Sequence, residues 1–99
     1  MKSRRVRFTE TASNHVDRER TWWLENRDHQ ELFAAELEKA VEMLALLPGA
    51  GTPYSHSTMP GLRRAYIRKL GCHLYYTFDA ADVIIRALWG ARRKRGPTL

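Results

Sequence analysis

Arg64, Tyr66 and Arg68, then His73, Tyr75 and Thr77, fall at alternate positions in the last third of a 99-residue chain, with Arg86 a few residues on. A period of two is that of a β-strand, so each set projects from one face. Histidine changes charge near neutrality and serves as base or acid. Guanidiniums stabilise charge developing on a phosphate, and tyrosine rings stack on cations or bases. Together these groups suit contact with nucleic acid, or proton transfer at a phosphodiester. The cations around His73, namely Arg64, Arg68 and Arg86, would lower its pKa and favour the neutral, basic form. A plainer reading stands beside this one. His73 is then a half-exposed residue next to a turn, and Tyr75 stacks between Arg68 and Arg86 to stiffen the sheet.

The elements that must position them are three antiparallel strands, Leu62–Leu70, His73–Phe78 and Val83–Trp89, followed by a basic tail. Gly71-Cys72 is expected to form the first turn, with Gly71 at positive φ, and Asp79-Ala80-Ala81-Asp82 the second. Leu70 then lies opposite His73 and Arg68 opposite Tyr75, while Phe78 faces Val83, Tyr76 faces Ile85 and Leu74 faces Ala87. Strict alternation assigns Ala65, Ile67, Leu74, Tyr76, Phe78, Val83, Ile85, Ala87 and Trp89 to a core face. Ile84 and Leu88 are left on the open face with the arginines, tyrosines and His73.

Upstream, Arg4–Thr9 alternates as a short strand with Val6 and Phe8 on its inner side. Thr9 is placed to cap a helix with Glu10 in its first turn. Ala12, Val16, Glu19 or Arg20, and Trp23 keep helical spacing. Asp28 and Glu31 have capping-box spacing for a second helix. Its stripe, Phe33, Leu37, Ala40, Val41, Leu44 and Leu47, is the strongest helical period in the chain. Leu32, Met43 and Leu46 widen it, which fits either a cover from another chain or a broad core face. The two helices form a hairpin on the apolar side of the sheet. The class expected is α+β: an antiparallel sheet of about four strands in the order β-α-α-β-β-β, with the N-terminal helical hairpin packed on one face. Core residues are Phe33, Leu37, Val41, Leu44, Ile67, Tyr76, Phe78 and Ile85.

Size and composition bound the function. One domain spanning residues 1–99 leaves room for one modest core. Apolar residues make up 43% and mean hydropathy is −0.53. No apolar run approaches the roughly 18 residues of a membrane span, and Met1-Lys2-Ser3-Arg4-Arg5 leads into a strand pattern. No membrane association is expected. Cys72 stands alone, which suits a reducing compartment, and the cytoplasm is the default expectation. Residues 1–59 carry eight Lys/Arg and nine Asp/Glu, while residues 60–99 carry nine and two, a net of +7. Charge concentrated at one end speeds encounter with a polyanion or an acidic partner. His15, His29, His56 and His73 have no metal-ligand spacing, so no metal and no cofactor is expected. Gly49-Ala50-Gly51-Thr52 follows a helix and lacks the Gly-Lys-Ser/Thr ending of a phosphate loop.

Several motifs in this order carry a resemblance: Val6-Arg7-Phe8-Thr9, Leu44-Ala45-Leu46-Leu47-Pro48-Gly49, Gly51-Thr52-Pro53, Gly61-Leu62-Arg63-Arg64, Leu74-Tyr75-Tyr76 and Leu88-Trp89-Gly90-Ala91-Arg92-Arg93. Over nearly its whole length the chain resembles the RelE/ParE superfamily of type II toxin–antitoxin toxins. The resemblance implies a small growth-inhibiting toxin, of the kind associated with plasmid stabilization. A cognate antitoxin wraps and silences it, and the pair can assemble as a heterotetramer or larger complex. The RelE branch implies a metal-independent mRNA endonuclease acting with the ribosome and mRNA. The two lysines of that pattern fall on Arg64 and Tyr66, its post-turn arginine on His73, a later arginine on Arg92, and its terminal tyrosine near Thr98. Catalysis of that kind would rest on His73, Arg64 and Arg92. The ParE branch implies a binding inhibitor of DNA gyrase, and loss of the lysines and the terminal tyrosine points this way. Target or nucleic-acid contact would then fall to Arg64, Tyr66, Arg68, Tyr75, Arg86, Arg92, Arg93 and Lys94.

Overall fold

The computed structural model describes residues 3–55 and 57–99; Met1 and Lys2 of the N-terminal basic run, and His56, lie outside the described residues. The chain folds as β1 (Arg5–Phe8), α1 (Glu10–Asn26), α2 (Gln30–Leu46), a short 3-10 turn (Pro48–Ala50), β2 (Thr52–Pro53), β3 (Arg63–Ile67), β4 (Cys72–Phe78) and β5 (Asp82–Gly90). The sheet has five strands in the order β1-β5-β4-β3-β2. The expected class holds, but the sheet is mixed: β1 runs parallel to β5, and the two-residue β2 adds a fifth strand beside β3. A β1 joined to the sheet only through two intervening helices is free to enter parallel, as crossover connections permit.

Thr9 caps α1 as its type predicts, its Oγ1 accepting from the Ala12 amide at 3.0 Å. Asp28 does not cap α2. His29 occupies that position without a side-chain bond, because Arg27 leaves α1 in an extended conformation and the helix starts one residue later than the capping-box spacing implies. The core joins Ala12, Val16, Trp23, Phe33, Leu37 and Leu44 of the helices to Ile67, Leu74, Tyr76, Val83, Ile85 and Leu88 of the sheet. Val41 packs against this cluster only partly buried. Phe78 is 39% exposed instead of buried. It ends β4 beside the Asp79 turn, where the Arg4 guanidinium lies 5.6 Å from its ring.

Two registers decide what each face carries. The β3–β4 turn is four residues long, Arg68–Gly71, not two. Gly71 has φ +65° as expected, and its amide donates to the Ile67 carbonyl at 2.9 Å. The longer turn buries Leu70, and it pairs Arg64 with Tyr75 and Tyr66 with His73. The partner of each residue moves by four positions, an even shift, so the faces are unchanged. At the other hairpin Asp79 Oδ1 accepts from the amides of Ala81 (2.9 Å) and Asp82 (2.8 Å), and Phe78 pairs with Val83 as predicted. The register then slips between Tyr75 and Tyr76: Tyr76 faces Ile85, but Tyr75 faces Ala87. Arg86 is the extra residue of a β-bulge, which reverses every later side chain. Leu88, expected on the open face, is core at 1% exposure, and Ala87 and Trp89, expected in the core, join the other side.

Gly51 has a packing role. Its amide donates to the Tyr76 hydroxyl at 3.0 Å, and that hydroxyl donates to the Pro48 carbonyl at 2.6 Å. This tie holds the loop after α2 against β4. Among the described residues no helix is long and apolar enough to cross a membrane.

Candidate target-binding site

Arg64, His73 and Tyr75 come together because β3 and β4 are paired in the register above. Arg64 Nη1 donates to the Tyr75 hydroxyl at 3.4 Å, and its guanidinium lies 5.0 Å from the Tyr54 ring centre. Tyr54 meets Tyr75 edge-on at 5.0 Å. His73 sits between Tyr66 (4.9 Å) and Tyr75 (6.1 Å). Burial lowers the His73 pKa below the ordinary value, and the neighbouring Arg64 charge lowers it further, so the ring is neutral at pH 7.

The C-terminal segment builds one wall. The amide of Ala91 donates to the Gly71 carbonyl at 2.7 Å, which ties the end of β5 to the β3–β4 turn. Trp89 Nε1 donates to the Arg95 carbonyl at 2.6 Å, and the terminal Leu99 carbonyl accepts from Ser57 Oγ at 3.0 Å. The tail thus folds back over the nominally open face. There Leu99, Met59, Tyr54 and Trp89 cover Leu62, Tyr75 and Ala87 as a second, smaller apolar cluster. Between tail and sheet lies a cleft of about 190 Å³. Arg64, His73 and Tyr75 line it from the sheet, and Arg93, Lys94 and Arg95 from the tail. A second hollow, about 300 Å³, opens on the far side of the Arg64–His73 pair and is bordered by Tyr66, Thr52 and Met43 of α2.

The tail is anchored through the opposite side of the sheet. Glu19 of α1 is 1% exposed. Arg92 donates to both its oxygens, Nη1 to Oε1 at 2.9 Å and Nη2 to Oε2 at 3.3 Å, and stacks 4.2 Å from the Trp22 ring. Arg93 Nη2 is 3.6 Å from Oε2 and its guanidinium covers Trp89 at 4.3 Å. The Cys72 thiol, 3.6 Å from Glu19 Oε1, is pushed up to about 12 by burial and by that carboxylate, so it stays protonated and unreactive. His15, edge-on to Trp89 at 5.1 Å, has its pKa lowered by burial and then by Arg18 and Arg93.

Of the residues singled out in the sequence, Arg64, His73, Tyr75, Arg93 and Lys94 share the cleft, and Tyr66 borders the adjoining hollow. Arg92 turns away to Glu19. Arg68 lies exposed in the turn, and Arg86 donates to Thr77 Oγ1 at 3.1 Å. Tyr75 is 2% exposed, a packed residue and not a platform for a base. Tyr54, Trp89 and Arg95 are cleft residues that the sequence reading missed. Trp89 was detectable: an apolar Leu88 stranded among arginines is the mark of a slipped register.

The chain matches the family model described as ParE toxin of type II toxin-antitoxin system, parDE, over residues 6–95. No curated protein matches the chain in sequence. Among solved structures it resembles one described as the chromosomal ParDE TA system from P. aeruginosa, with TM-score 0.68 and 13% identity over 89% of this chain and 96% of that one. It also resembles the E. coli DinJ-YafQ toxin-antitoxin complex, with TM-score 0.64 and 13% identity over 95% of this chain and 99% of that one. A point mutant of YafQ from E. coli gives TM-score 0.60 and 13% identity over 88% of this chain and 92% of that one. At such identities these structures speak to the fold, whereas the family match spans almost the entire sequence: the chain belongs to the ParE toxin family of type II toxin–antitoxin systems.

Proposed function

We propose that this type II toxin arrests growth by binding DNA gyrase while the enzyme holds cut DNA, performing no bond-breaking chemistry of its own. The observation that carries this reading is the placement of Arg92. Cleavage of RNA through the ribose 2′-hydroxyl needs a base, a cation on the phosphate and a proton donor for the leaving oxygen. Arg92, the tail arginine that the nuclease pattern would use, is engaged by Glu19 beyond the sheet. His73 and Arg64 remain together, but the tyrosine beside them, Tyr75, is buried, its hydroxyl accepting from Arg64 and out of reach of a leaving oxygen. The surroundings favour holding an anion over moving a proton.

A nuclease is the second reading, and one observation favours it: His73 is kept neutral, the form a general base requires, next to Arg64. The two separate cleanly in vitro. Purified toxin added to gyrase and supercoiled plasmid should accumulate cleaved complexes, and His73→Ala should keep most of that effect. Removing a true general base costs roughly 10²–10⁴ in rate. An mRNA cleavage ladder in translating extract that vanishes with His73→Ala would sink the gyrase reading.

The partner that restrains the toxin is a cognate antitoxin. The positive C-terminal third and the exposed Met43, Leu46 and Leu47 of the α2 end suit an acidic, amphipathic segment. Stopped-flow association should slow as salt rises. A heterotetramer fits this reading, and light scattering of the co-purified complex tests it.

A further inference from the structure

We infer that the cleft between the sheet and the folded-back tail is a phosphodiester site, through which the toxin grips the backbone of DNA held by its target. This rests on the gyrase reading and adds a second contact to it. The first support is charge. Arg64, Arg93, Lys94 and Arg95 line the cleft, and no carboxylate is among its described lining residues. Glu19, the acid that meets the tail, is taken up by Arg92 and partly by Arg93, on the far side. Most of the uncompensated charge is therefore that of Arg64, Lys94 and Arg95.

The second support is what the rings are doing. Tyr75 is buried, the Arg93 guanidinium covers Trp89, and the Arg64 guanidinium covers Tyr54. The aromatic faces already carry cations, so the cleft presents guanidinium and ammonium groups where a base would need an open ring. Contacts of that kind position a polynucleotide without reading its sequence. The third support is size. About 190 Å³ is below the roughly 300 Å³ at which pockets for whole small molecules begin, and it suits one enclosed phosphate with the edge of its sugar, the two flanking phosphates of the strand meeting the exposed Lys94 and Arg95 at its rim. Neutral His73, at the floor, has an N–H to offer a phosphate oxygen without adding charge.

The tail wall is the specific element. Lys94 and Arg95 are held over the sheet by the ties of Arg92 and Arg93 to Glu19 and of Trp89 to the Arg95 carbonyl, with Leu99 bound by Ser57 beyond them. A polyanion binding there is held by two segments far apart in sequence, β3 and the C-terminus.

The test uses the full chain and fluorescence anisotropy with a DNA duplex of about 20 base pairs and arbitrary sequence, the same single strand, and an RNA of matching sequence. Three phosphate contacts predict a log–log salt slope of roughly −3 for duplex and a loss of affinity of roughly 40-fold between about 50 and 200 mM salt. Lys94→Gln should lower the slope by about 1, and Lys94→Gln with Arg95→Gln by about 2. Lys39→Gln, on the exposed side of α2, should change nothing. Circular dichroism checks that each variant is folded. Equal binding of arbitrary DNA sequences, with these losses, supports the site. Binding that is absent at the lower salt, confined to RNA, or identical in all variants overturns it. A parallel arm measures the toxin on immobilised gyrase without DNA. Gyrase binding without DNA binding removes this site and leaves the gyrase reading standing; DNA binding without gyrase binding does the reverse.

Discussion

Replacing Glu19 by alanine tests the anchor on which the cleft depends. The carboxylate is buried, contacts two guanidiniums at 2.9, 3.3 and 3.6 Å, and accepts from the Cys72 thiol at 3.6 Å. Removing one partner of a buried ion pair costs about 3–5 kcal/mol, mostly because the other charge is stranded. Here the stranded side chains are 37% and 30% exposed and recover some water, which brings the expected loss to roughly 2–4 kcal/mol. At about 4–8 °C per kcal/mol for a domain of this size, thermal unfolding should fall by roughly 8–32 °C. Local release should accompany it: limited trypsin digestion should cut after Arg92, Arg93, Lys94 or Arg95 well before the rest of the chain. Asp17→Ala, which removes an ion pair with Arg20 exposed at both ends, is the control and should leave stability and digestion as they were. A Glu19→Ala toxin that melts within about 3 °C of the wild type, roughly 0.5 kcal/mol, with its tail still resistant, would refute the anchoring argument.

Gly51→Ala should destabilise by about 1–3 kcal/mol, since a Cβ there would stand 2.6 Å from the Arg64 carbonyl oxygen and 2.5 Å from the Tyr76 hydroxyl. Gly49→Ala, with open space around it, should be tolerated in the same chemical denaturation series. Leu88→Ala should cost about 2–5 kcal/mol, and so should Ile85→Ala, because both face the core, Ile85 by simple alternation and Leu88 through the bulge; a Leu88→Ala protein of unchanged stability would place the register slip elsewhere. His15 and His73 both have lowered pKa values in the folded chain, so the unfolded chain binds protons more readily. Above the ordinary histidine value near 6.5 neither form is charged and stability is level with pH; below it stability falls as pH drops. Urea midpoints on either side of that value, at about pH 7.5 and 5.5, should show that fall, and His73→Asn should reduce it. Arg64→Gln should raise the His73 pKa only in part, as burial is the larger cause, which NMR titration of the ring reads directly.

Most of the architecture was legible along the chain because it rests on local chemistry. The Thr9 cap, the helical stripe from Phe33 to Leu44, Gly71 at positive φ and the Asp79 turn are each decided by a few neighbouring residues. The motif order sufficed for the family. The core face of β3 and the first half of β5 also followed from alternation, since an even error in turn length leaves the faces alone. Three things were settled only by long-range packing. The bulge at Arg86 formed where Leu88 gains more from facing Leu74 than from keeping the ladder regular, and it carried Trp89 to the other side. β1 joined the sheet parallel to β5, a choice made by how the helices return the chain. Arg92 and Arg93 left a tail that reads as free basic charge and closed on Glu19, a residue 73 positions before Arg92. The spacing along α1 could not choose between Glu19 and Arg20 for the inward position. A carboxylate is stable in a core only when cations meet it there, and which cations do so depends on how the whole chain is folded.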